Sequence, residues 1–126
     1  ACVVDALLDA AYGGRLTYEH FLRRPEGEAR SRDALATKLA ASRAALDGWW
    51  AAPVRARPTT VDTYYGLQSL HAALERTAWH VAQHARQLQS LVEQAGVEPA
   101  ARLSERELDG LPLPEGLWDR EVGAPT

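Results

Sequence analysis

Apolar positions return every three to four residues along most of the chain, and that spacing predicts helices. In ACVVDALLDAAYGG, Val3, Val4, Leu7, Leu8 and Ala11 share one face, and the run stops at Gly13 and Gly14 as a helix C-terminus does. No capping residue precedes it, so this helix is expected to begin in its own middle, with sequence missing upstream. Residues 15–30 read as a connection, with one helical turn over residues 17–22 before Pro25 and Gly27. Ser31 caps a second helix, and Asp33 places a carboxylate in its positive first turn. Leu35, Leu39, Ala40 and Leu46 mark its inner face, and Trp49 and Trp50 close it before Pro53. PVRARPTTVDTYYG, residues 53–66, reads as a loop. The longest helix is expected from about residue 67 to residue 95, ending at Gly96. Ser104 and Glu107 stand three apart, as in a capping box. LPLPEGLWD, with two prolines, is expected to lie over the helices as an extended strap. No repeat and no β-alternation of useful length is visible. Helices of this length must bury their stripes on one another, so the expected fold is all-α: an antiparallel four-helix bundle spanning residues 1–126 as one domain, with its first helix missing or truncated.

Composition narrows the classes. With 126 residues the chain suits a single core, and its 46% hydrophobic and 25% charged content is that of a soluble globular protein. All but one of its 14 basic residues are arginines, spread along the chain with a net charge of −3, so there is no basic block to meet nucleic acid. No apolar run approaches the roughly 20 residues that cross a bilayer, and the N-terminus lacks a signal-peptide layout. The lone cysteine, Cys2, cannot pair within the chain; it fits a reducing cytoplasm and reads as a small buried apolar group.

RTAWHVAQHARQL places His80 and His84 four apart in the longest helix. At about 100° per residue, Leu74, Ala78, Val81, Ala85, Leu88 and Val92 fall within roughly 40° of one line, the expected core stripe. His84 lies about 80° and His80 about 120° to one side of it, on the helix's inner shoulder. Glu75, Arg76, Gln83, Arg86, Ser90 and Glu93 form the solvated face, so Gln83 and Arg86 are turned outward. A histidine pair at this spacing can aim two nitrogens at one ion, and it can equally be two shoulder histidines bonded to a carbonyl or water. Val81, Ala82 and Gln83 separate the two, so the glutamate of the zinc-protease motif is absent. His71 is nine residues before His80, about 180° round the helix, and cannot share an ion with it there. His20, in the connection after Gly14, is a further candidate ligand if it folds back over the seam. Trp79 is expected to be covered by the strap, with Trp118 also a packing residue; Trp49, Trp50, Tyr64 and Tyr65 could line a pocket mouth, with core closure at one end the preferred reading.

Taken together, TYYGLQSLHAALERTAWHVAQHARQL and LSERELDGLPLPEGLWD resemble the DinB-like superfamily, over roughly residues 63–119. W-H-x-x-Q-H-x-R-Q-L followed by L-P-L-P-x-x-x-W-D carries the resemblance. It implies a four-helix bundle and a divalent metal, zinc or nickel first, held by three histidines on two helices. His80 and His84 match the later pair, and the third is expected just ahead of the stretch matching VVDALLDAA, where nothing precedes Ala1. The resemblance further implies a metal-dependent enzyme acting on a small-molecule substrate. Transfer of a low-molecular-weight thiol to an electrophile is the leading chemistry, with metal-assisted hydrolysis its competitor. A reading of another class is a non-catalytic bundle that binds a small ligand or a partner chain beside an incomplete, vestigial metal site. An apolar seam left open by a missing helix leaves a homodimer open as well.

Overall fold

The computed structural model describes residues 2–13, 15–22, 26–53 and 57–118. The side chain of Cys2 and Asp119, the last position of the tail motif, lie outside the described residues. The chain divides into two compact units, Ala1–Thr77 and Ala78–Thr126.

In the first unit, α1 (Cys2–Ala11) is the most deeply packed element: Ala6, Leu7, Leu8, Ala10 and Ala11 are all buried. One side of it meets α3 (Arg32–Ala51), where Leu8 and Ala11 pack on Trp49 with Val4 and Leu46 beside them. Ser31 caps α3 by accepting from the Ala34 amide at 3.2 Å. The connection between α1 and α3 holds a single turn, α2 (Glu19–Leu22), and a 3₁₀ turn at Gly27–Arg30. At the far end of α3, Arg57 lies over the rings of Trp49 and Trp50, 4.8 and 5.0 Å from their centroids, and donates to the Trp49, Trp50 and Ala52 carbonyls. One arginine thus satisfies orphan carbonyls of the helix end and stacks on its aromatics. Trp49 is buried there as expected, whereas Trp50, Tyr64 and Tyr65 are exposed.

The other side of α1 meets a hairpin, and this corrects the all-α expectation. β1 (Thr60–Thr63) and β2 (Gly66–Ser69) pair antiparallel, Thr60 opposite Ser69 and Thr63 opposite Gly66. The described residues form a mixed α/β structure and not an all-α four-helix bundle. Val61 and Thr63 point inward and are buried while Thr60 and Asp62 face out, so the alternation is real but only four residues long. Thr63 makes the inward polar position tolerable: its hydroxyl donates to the Gly66 carbonyl at 2.5 Å. Gly66 closes the turn at φ 110°, a conformation that residues with a Cβ rarely adopt. Leu16 bridges the outer edge of β1, donating to the Asp62 carbonyl and accepting from the Tyr64 amide at 3.0 and 2.8 Å. Because β2 takes residues 66–69, the long helix α4 (Leu70–Gln94) starts at Leu70, where Ser69 accepts from the Ala72 amide at 3.0 Å. Its first turns send Leu70, Ala73 and Leu74 into the cores around α1.

In the second unit α4 ends at a left-handed Gly96, φ 76°, with the Val97 amide bonded back to the Val92 carbonyl, as in a Schellman motif. α5 (Glu105–Leu108) carries the expected capping box between Ser104 and Glu107. Residues 111–118 follow without regular structure. Among the described residues no helix is long and apolar enough to cross a membrane.

Asp5 ties α1 to α3, accepting from the Ser42 hydroxyl at 2.7 Å and from Lys38 at 3.1 Å. Burial raises its carboxyl pKa, but the bonds from Ser42 and Lys38 and the charge of Lys38 together outweigh this and hold it below the ordinary value. The unfolded chain therefore binds protons at this carboxyl more readily than the folded one. The stabilisation is present in full above the unfolded pKa of about 3.9 and is lost as pH falls through the lower folded value. Asp5→Asn is expected to flatten the fall in thermal midpoint below about pH 4, and Ser42→Ala to cost about 1 kcal/mol in urea unfolding. Superimposable pH curves for wild type and Asp5→Asn would show that this tie does not stabilise the fold.

Candidate metal centre

One helical turn separates His80 from His84 on the part of α4 that belongs to the second unit. Their rings stand edge to face, with centroids 4.6 Å apart and planes at 74°. The two Nε2 atoms face each other at 2.9 Å, so in the metal-free pair one carries hydrogen and the other accepts. On its far side His84 meets Gln87, Nδ1 to Oε1 at 2.8 Å. The Trp79 ring lies 5.7 Å from that of His80. A cleft of about 350 Å³ opens at the pair, lined by Trp79, His80, Gln83, His84, Pro112, Leu113 and Pro114. His80 is half-buried and His84 exposed, so both can be reached from solvent.

This spacing suits a metal ion. Imidazole nitrogens sit about 2.0–2.1 Å from zinc, which puts two of them about 3.3 Å apart at a tetrahedral angle and about 2.9 Å apart at a right angle. The observed 2.9 Å lies at the short end of that range. Among the described residues no group of three or more His, Cys, Asp and Glu side chains gathers to hold an ion. The pair is a two-nitrogen donor set, and the remaining positions of an ion seated on it would fall to water or a bound molecule.

His20, the other candidate ligand, is engaged within the first unit. Its Nε2 lies 3.0 Å from Asp9 and fastens α2 to α1, while its Nδ1 lies 3.0 Å from the hydroxyl of Thr17 just ahead of α2, so both ring nitrogens are engaged. His71 is exposed in the first turn of α4.

Part of the face of α4 expected to be solvated, at Gln83 and Arg86, is covered by the tail. Gln83 is buried, and its amide nitrogen donates to the carbonyls of Gly116 and Leu117 at 3.2 and 2.8 Å. Its amide oxygen accepts from Arg86 at 2.8 Å, and Arg86 reaches the Pro114 carbonyl at 3.3 Å. Gln87 donates to the Leu117 carbonyl at 3.0 Å and Gln89 to that of Ala101 at 3.3 Å. The strap is held by side-chain amides, and its Pro112-Leu113-Pro114 portion forms the cleft wall that faces Trp79. Trp79 thus meets the tail as expected, while Trp118 is half-exposed. Val81, Leu88 and Val92, expected in the core stripe, are exposed. The helix wheel missed Gln83 and Gln87 because it sorts residues by polarity alone. The available signal was the pairing of a glutamine-rich helix with a prolyl tail whose carbonyls have no ladder to join.

Comparison with family models, curated proteins and solved structures finds no match to this chain.

Gln83→Met keeps the volume and removes the amide that grips the strap. It is expected to lower stability by about 1 kcal/mol in urea unfolding, since Gly116 loses a donor and the Leu117 carbonyl keeps only that of Gln87. An unchanged midpoint would mean that the strap is held by other contacts.

Proposed function

We propose that this chain is a cytoplasmic, metal-dependent enzyme acting on a small molecule, with a divalent ion, zinc or nickel first, held by Nε2 of His80 and of His84. The observation that carries this is the 2.9 Å approach of the two nitrogens at the mouth of a cleft. The resemblance of W-H-x-x-Q-H-x-R-Q-L and L-P-L-P-x-x-x-W-D to the DinB-like superfamily supports the same assignment. Bound there, the ion would supply Lewis acidity, lowering the pKa of a water or thiol beside it.

The chain's own residues divide the remaining work. His80 and His84 stay neutral to bind, because only an imidazole lone pair coordinates. Trp79, Pro112, Leu113 and Pro114 give the cleft an apolar wall that sheds water and accepts the body of a ligand. The substrate class this favours is a small molecule with a metal-binding head and an apolar body. A low-molecular-weight thiol transferred to an electrophile is the leading chemistry, and hydrolysis the second.

A second reading is favoured by the two-donor set found among the described residues. In it the pair is vestigial, and the cleft or the exposed Val81, Leu88 and Val92 serve to bind a ligand or a second copy of the chain.

Metal analysis of protein purified without a histidine tag is expected to find close to one ion per chain, lost in the His80→Ala, His84→Ala double variant. Equal, negligible metal in both would remove the metal reading. A dimer in light scattering combined with negligible metal would support the second.

A further inference from the structure

Gln87 stands between the strap and His84. Its amide nitrogen is 3.0 Å from the Leu117 carbonyl oxygen and its amide oxygen 2.8 Å from Nδ1 of His84. A carbonyl oxygen only accepts, so the Leu117 contact demands the NH₂ end of the amide and turns Oε1 towards the ring. An amide oxygen also only accepts, so Nδ1 of His84 must carry hydrogen. A neutral imidazole with hydrogen on Nδ1 has its lone pair on Nε2, the atom that faces His80. His80 then supplies the hydrogen between the two rings, in the place an ion would take.

We propose that Gln87 is a positioning residue: seated by the Leu117 carbonyl, it holds His84 in the tautomer and orientation that present the Nε2 lone pair to an ion. Neutral histidine in water carries its hydrogen mostly on Nε2, the form that cannot bind there, so the site requires something to reverse that preference. The strap supplies it without contributing a ligand: main-chain carbonyl, glutamine amide and imidazole form one directed chain of hydrogen bonds. Gln83 braces the same carbonyl at 2.8 Å, so the anchor of the chain is doubly held. Outer partners of this kind typically change metal affinity 10- to 100-fold when removed.

The purpose of this arrangement rests on the metal reading, but the tautomer is a property of the metal-free chain and can be measured alone. In ¹⁵N-labelled full-length protein, at a pH where the imidazoles are neutral, long-range ¹H–¹⁵N spectra are expected to show His84 with hydrogen on Nδ1. Gln87→Leu, which has no acceptor, should move the hydrogen to Nε2 and weaken the binding of Zn²⁺, titrated alone in a calorimeter, about 10- to 100-fold. Gln87→Glu can still accept from Nδ1 but cannot donate to Leu117, and should keep the wild-type tautomer. Hydrogen on Nε2 of His84 in the wild type, or a tautomer unmoved by Gln87→Leu, would overturn the proposal. A wild type that binds no zinc yet shows the expected tautomers in all three proteins would sink the metal reading and leave Gln87 as the residue that sets the ring.

Discussion

The cleft beside the histidine pair depends on side-chain amides holding main-chain carbonyls. Residues 111–118 carry prolines at 112 and 114 and adopt no regular structure, so their carbonyls have no ladder or helix to enter. Gln83 and Gln87 take the carbonyls of Gly116 and Leu117, and Arg86 takes that of Pro114. These bonds are half-buried to exposed, so each contributes about 0.5–1.5 kcal/mol, and together they seat the strap through amides where a helix partner would be met by leucines. The wall of the cleft is a consequence of that exchange.

The first unit solves a different problem. α1 is short and buries Leu7 and Leu8 on different sides, so it needs cover on two sides. Trp49 of α3 supplies one, and the hairpin with Leu16 bridged to its edge supplies the other. The start of α4 completes both clusters through Leu70 and Leu74. His20 belongs to this work: placed between Asp9 and Thr17, it is a fastening.

Much of the local structure was legible before folding. Ser31, Gly96 and the Ser104–Glu107 pair act at short range, so their caps follow from neighbours three or four residues away. The hairpin was not legible, because four alternating residues containing two threonines carry too little periodicity to tell a strand from a loop. Its inward threonine is explained only by the turn it bonds, and the register depends on Gly66 opposite Thr63. The apolar stripe misled for a related reason: a wheel states which residues could be buried together, and not which face a neighbour arrives on.

For the candidate site the division is the same. That His80 and His84 lie on one side of a helix, a turn apart, is dictated by the 3.6-residue repeat and needs no tertiary information. What walls the space in front of them, and what the neighbouring Gln83, Arg86 and Gln87 bond to, is set by residues 30 or so positions away, at Pro114, Gly116 and Leu117. Helical periodicity is a property of adjacent peptides and can be read along the chain. The seating of a prolyl segment on a row of glutamines is a match between two distant surfaces, and only folding brings them together.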